Sequence, residues 1–113
     1  EDMKYKNTLK KGSVRFLIFR DGESFFGVAL EFNVTVEGAN PQEAFLFLYE
    51  AASGYLEAAR KAKLRPQVLN QKTDLEYEKM WQANQDAGLK EKYERMVNNL
   101  PIFSSGVLDL AVR

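Results

Sequence analysis

Residues 27–60 read GVALEFNVTVEGANPQEAFLFLYEAASGYLEAAR, and how this stretch is read decides the fold. From Phe26 the apolar side chains alternate without a break: Phe26, Val28, Leu30, Phe32, Val34 and Val36 against Gly27, Ala29, Glu31, Asn33, Thr35 and Glu37. Period-two alternation is the signature of a strand with one core face and one wet face. Eleven unbroken positions exceed the usual strand length, so a bend or bulge near Glu31 to Asn33 is expected to split the run into two pairing segments. Gly38 breaks the strand. Asn40-Pro41-Gln42-Glu43 then starts a helix, with Asn40 as N-cap, Pro41 at the first helical position and Glu43 placed to close a capping box.

At 100° per residue, Ala44, Phe45, Phe47, Leu48, Tyr49, Ala51, Ala52, Tyr55, Leu56, Ala58, Ala59 and Ala62 occupy an arc of about 200°. A single sheet contact needs roughly half of that. The helix is therefore expected to be covered twice, by the sheet and by either the C-terminal segment or another subunit. Leu46 stands among the polar residues Gln42, Glu43, Glu50, Ser53, Glu57, Arg60 and Lys61, which marks it as a candidate oligomer contact. Gly54 costs about 1 kcal/mol against alanine in mid-helix, explained either by a close contact or by tolerance.

Upstream, residues 1–13 are polar, with Lys4, Lys6, Lys10 and Lys11, and are expected to form a loose arm. Val14 to Arg20, VRFLIFR, carries apolar side chains on both faces, Phe16 and Ile18 against Leu17 and Phe19, and predicts a strand covered on both sides. Asp21-Gly22 predicts a type I′ hairpin turn, since both residues accept positive φ. Downstream, Arg65-Pro66 ends the long helix and 67–72 is a linker. Thr73-Asp74-Leu75-Glu76 predicts a second capping box, opening a helix with Tyr77, Met80 and Trp81 on one face and Gly88 as its C-cap. That aromatic face could bind a partner, but core is the favoured assignment. Leu89 to Leu100 is amphipathic, Pro101 stops it, and Val107 to Val112 predicts a short final strand. These C-terminal helices are expected to act as a lid on the second apolar face of the long helix.

The whole predicts one α+β domain over 1–113: a small antiparallel meander packed on one long helix at 14–61, then a helical extension with a terminal strand at 73–113. Totals narrow the function. The 113 residues carry 16 basic and 16 acidic side chains, so no net charge draws the chain to nucleic acid or an anionic membrane, and direct nucleic-acid binding is not expected. Cysteine and histidine are absent, which removes disulfides, thiolate metal sites and imidazole-based catalysis. No apolar run reaches membrane-spanning length and no signal-peptide pattern is present, so a soluble cytoplasmic protein without a cofactor is expected.

The run Val28-Ala29-Leu30-Glu31-Phe32-Asn33-Val34-Thr35-Val36-Glu37-Gly38, then Asn40-Pro41-Gln42-Glu43-Ala44, then Glu50-Ala51 and Gly54-Tyr55-Leu56-Glu57, resembles the HicB-like antitoxin family. The hairpin with Asp21-Gly22 matches in position, and the resemblance spans about half the chain, Val14 to Lys61. It implies a β-β-β-α module similar to a truncated RNase H-like fold without nuclease activity. It also implies neutralisation of a small basic RNase toxin of the HicA type, and self-association as a dimer or higher oligomer. Family members often carry a DNA-binding C-terminal domain; here the region 74–100 is charge-balanced and shows no basic recognition helix.

Glu31, Asn33, Thr35, Glu37 and Leu46 are the partner-binding candidates, the first four as an outward polar row complementary to a basic toxin. A plain solvated sheet face explains that row equally well. Two alternatives stand beside the antitoxin: a stand-alone homo-oligomer without a toxin, and a metal-dependent nuclease. For the latter, Asp21, Glu23 and Glu31 would cluster at one end of the hairpin as Mg²⁺ ligands. The turn and the wet strand face account for those carboxylates more simply, so no catalytic or metal residue is assigned.

Overall fold

The computed structural model describes residues 11–85 and 102–111. It is an α+β structure in which a four-stranded antiparallel sheet, ordered β3-β2-β1-β4, lies between two helices. The elements are β1 (Lys11–Asp21), β2 (Ser24–Ala29), β3 (Val34–Gly38), α1 (Pro41–Lys61), a 3-10 turn (Pro66–Leu69), α2 (Leu75–Gln85) and β4 (Ile102–Ala111). The expected final strand is present and pairs along β1 from Lys11↔Ala111 to Phe19↔Ile102, with a bulge after Ile18. Lys11, Gly12 and Ser13 belong to β1 and not to an N-terminal arm. The expected Gly88 cap, the helix from Leu89 to Leu100, its Pro101 stop, Val112 and residues 1–10 lie outside the described residues.

β1 is covered on both faces, as its sequence predicts. Val14, Phe16 and Ile18 join the cluster under α1, with Ala44, Leu48, Ala52, Leu56 and Ala59. Leu17 and Phe19 join Val28, Leu30 and Met80 under α2, where Phe26, Tyr77 and Trp81 pack at the margin. Met80 is thus a core residue, with Tyr77 and Trp81 half-buried against the same cluster. The helix α2 packs on β1 and β4, on the side of the sheet away from α1, so this part of the C-terminal region does not cap the long helix. Its contact is with the sheet because Met80, Tyr77 and Trp81 find Leu17 and Phe19 uncovered there.

Both hairpins differ in detail from the expectation. Asp21 pairs with Ser24, so the central turn residues are Gly22 and Glu23. Of these only Gly22 has positive φ (67°), the pattern of a type II′ turn with glycine first. The long alternating run does split near Glu31 to Asn33, but by full reversal. Leu30 to Asn33 form the loop, Asn33 adopts φ 55° and donates its N–H to the Leu30 carbonyl at 3.2 Å, and Ala29 pairs with Val34. Across this loop paired positions have opposite parity. The apolar series therefore changes side: Phe26, Val28 and Leu30 face α2, whereas Phe32, Val34 and Val36 face α1.

α1 starts as read. Asn40 Oδ1 accepts the Glu43 N–H at 2.8 Å, and the Glu43 carboxylate returns to the Ala39 N–H at 2.8 Å, one residue before the cap. It ends at Lys61 through a Schellman arrangement, with Lys63 at φ 52° and the Leu64 N–H on the Ala59 carbonyl at 2.9 Å. At α2 the cap is Asp74, whose Oδ1 accepts the Glu76 N–H at 3.0 Å, and not Thr73 as read from the sequence. The linker 67–72 is tied down. Leu69 is buried, the Gln71 N–H reaches the Glu31 carbonyl at 2.8 Å, and Tyr55 Oη donates to the Val68 carbonyl at 2.6 Å.

A Cβ added at Gly54 meets nothing within 4 Å, so no close contact requires glycine there. Gly54→Ala is expected to raise unfolding free energy by about 1 kcal/mol, the propensity difference in a helix interior. Urea denaturation monitored by circular dichroism measures it, and a loss of stability would show that an unseen contact occupies that position.

Candidate functional site

Of the twelve residues on its broad apolar arc, α1 buries fully only the stripe Ala44, Leu48, Ala52, Leu56 and Ala59, spaced by four, four, four and three. That spacing keeps one line of side chains over the sheet. Ala51 and Tyr55 are half-buried, Tyr55 against Phe32, and the arc is open chiefly toward the N-terminal half of the helix. Phe45 (39%), Leu46 (54%), Phe47 (39%) and Tyr49 (46%) are exposed, four large apolar side chains in five consecutive positions at the N-terminal half of the helix. The second cover expected from the sequence is not supplied by α2. Phe45 leans from α1 toward the β1–β4 side, its ring edge-on to Phe16 at 5.3 Å between centroids. Pro41, Gln42 and Phe45 form one wall of an open groove of about 430 Å³, with Ser104 of β4 as the other. These exposed side chains, Phe47 on one flank of the buried stripe and Tyr49 and Leu46 on the other, together with the groove beside Phe45, form the candidate interaction site.

The polar row expected on the strand is not assembled. Glu31 stands in the β2–β3 loop, with its carboxylate turned back onto β1, where it accepts the Arg15 N–H at 2.9 Å and Arg15 Nε at 2.6 Å. Asn33 is exposed in the loop. Thr35 and Glu37 are exposed on β3, and Glu37 accepts the Ser24 hydroxyl. Leu46, the fifth candidate, is exposed on α1. Asp21 and Glu23 sit at the β1–β2 turn while Glu31 lies beyond the other end of β2, about 20 Å of strand away. The three carboxylates considered as Mg²⁺ ligands are therefore not brought together. Among the described residues no group of three or more acidic side chains is placed to hold a metal ion.

Sequence reasoning missed Arg15. Its guanidinium binds Glu31 through Nε, holds both carboxylate oxygens of Glu78 on α2 through Nη1 and Nη2 at 2.7 Å each, and lies 5.4 Å from the Trp81 ring. One side chain thus ties β1, the β2–β3 loop and α2 together. The available signal was an arginine inside a strand apolar on both faces, which must find counter-charges to be covered. The two hydrogen bonds from Arg15 hold the Glu78 carboxyl below its ordinary range, outweighing the opposing effect of partial burial. The guanidinium itself is held more firmly protonated, chiefly by Glu78, against the cost of burial. Nearby, burial raises the Tyr55 phenol, partly offset by the hydrogen bond that Gln71 donates to it at 2.8 Å.

Compared with family models, with curated proteins and with solved structures, the chain finds no match in any of the three. No helix among the described residues is long and apolar enough to cross a membrane.

Because the folded pKa of Glu78 is depressed, its contribution to stability is present above the ordinary carboxyl value of 4.5 and is lost as pH falls through the lower folded value. The difference in thermal midpoint between the parent chain and Glu78→Gln should be largest near neutrality and should shrink below about pH 4.5. Arg15→Ala, which strands two carboxylates, should cost about 2–3 kcal/mol by chemical denaturation. A Glu78→Gln difference that does not change with pH would remove the ion pair from the account of α2 docking.

Proposed function

We propose that this chain acts by protein–protein contact as a HicB-like antitoxin, binding a small basic RNase toxin of the HicA type. The observation that carries the contact reading is the exposed group Phe45, Leu46, Phe47 and Tyr49 on a helix whose buried stripe already satisfies the sheet. A monomer rarely leaves such a concentration of large apolar side chains at its surface without a use for it. Aromatic side chains supply contact area at low cost in conformational entropy, which suits them to the centre of an interface. The family assignment is supported by the resemblance from Val14 to Lys61 and by the hairpin, the three-strand meander and the capped helix following in the order it implies.

In this reading the apolar patch anchors the toxin and the carboxylates around it add electrostatic complementarity. Glu43 and Glu50 on α1 lie between Leu46 and Phe47 around the helix, so a lysine- and arginine-rich partner meets acid beside the apolar side chains. Inhibition then needs no chemistry from this chain: covering the toxin's active surface is sufficient.

The test is co-expression with a small basic protein encoded in the adjacent reading frame. A stable complex that suppresses the partner's RNA cleavage is expected, and Leu46→Lys should weaken it about tenfold or more, since a buried contact becomes an unpaired charge. Absence of any complex with the parent chain would overturn the proposal.

A further inference from the structure

The chain's equal totals of acid and base conceal a segregation. Between Glu57 and Asp74 it carries Arg60, Lys61, Lys63, Arg65 and Lys72 and no acidic residue. All but Lys72 stand in the last turn of α1 or just beyond it. Glu57 pairs with Arg60 at 2.6 Å and lies 3.9 Å from Lys61, whereas Lys63 and Arg65 are exposed and form no ion pair among the described residues.

Helix-end electrostatics account for part of this cluster. Arg60 and Lys61 lie in the last turn, where the helix dipole favours cations. Lys63 has a different setting. It holds φ 52° at the position past the helix cap that glycine usually fills, a conformation that lysine adopts only at a cost. What lysine supplies there and glycine would not is a charge at the turn. Beside it Leu64 is 42% exposed, so the segment from Lys61 to Arg65 presents one large apolar side chain between cations.

We infer that this end of α1 docks on an anionic phospholipid surface, with Lys61, Lys63 and Arg65 at the headgroups and Leu64 entering the acyl boundary between them. Each cation near such a surface adds its own attraction, and an apolar side chain among them gains by leaving water. A phosphodiester backbone would take up the cations but offers nothing to Leu64. The exposed aromatic side chains that could stack on bases, Phe45, Phe47 and Tyr49, lie in the first half of the helix. Attachment through so few cations is reversible and weakens with salt. Leu46 and Lys61 are separated by roughly 22 Å of helix, so contact here leaves the patch proposed for a protein partner free. The inference does not require a toxin.

Co-sedimentation of the full chain with vesicles tests it. At low ionic strength the chain should sediment with vesicles of phosphatidylcholine mixed with phosphatidylserine and not with phosphatidylcholine alone, and binding should decline as salt rises. Lys63→Asn, which removes the charge and accepts the left-handed backbone, and Arg65→Gln should each weaken binding about fivefold. Leu64→Ser should weaken it while leaving its salt dependence unchanged. Lys79→Gln, at an exposed lysine of α2, is the control and should bind as the parent chain does. Circular dichroism checks that each variant stays folded. No binding to the mixed vesicles, a loss with Lys79→Gln equal to that with Lys63→Asn, or a Leu64→Ser chain that binds like the parent would each overturn the inference. Tighter binding to a nucleic-acid duplex than to the vesicles at the same salt, through Lys63 and Arg65, would also overturn it and assign this end of the helix to phosphodiesters. Failure to capture a toxin bears only on the preceding proposal.

Discussion

The described structure depends on β1 having a partner on each of its four sides. Along the sheet it is hydrogen-bonded to β2 and β4, and above and below it lie α1 and α2. A strand in that position must be apolar on both faces, and Phe16 and Ile18 on one with Leu17 and Phe19 on the other satisfy this. The exception is Arg15, which cannot be left unpaired in such surroundings at acceptable cost. Its pairing with Glu31 and Glu78 follows from that cost. The same guanidinium then holds the loop and α2 in register with the strand, so one polar residue fixes the relation of two elements distant in sequence.

Much of this architecture was legible because its signals are local. Asn40, Pro41 and Glu43 specify a helix start within four residues, and VRFLIFR specifies a strand buried on both faces from its composition alone. What the sequence concealed is chiefly parity. A four-residue loop between paired strands moves a strictly alternating series from one side of the sheet to the other. The pattern from Phe26 to Val36 looks identical whether the chain bends or reverses. The supposed row of Glu31, Asn33, Thr35 and Glu37 was a product of that ambiguity. Asn33 carried the missing information, since asparagine accepts the left-handed conformation that the loop needs. At the start of α2, Thr73 and Asp74 are both good caps, and local sequence does not choose between them.

The breadth of α1's apolar arc was correctly read as more than one sheet can cover, but its consequence depended on where α2 goes. Had α2 packed on α1, the arc would have been a core feature. The uncovered Leu17 and Phe19 on the other face of β1 gave α2 a better site, reinforced by the Glu78 carboxylate that Arg15 requires. Competition between two apolar faces for one short helix therefore decides which face α2 covers. Sequence periodicity measures how much apolar surface an element has; it does not say which of two surfaces is covered first.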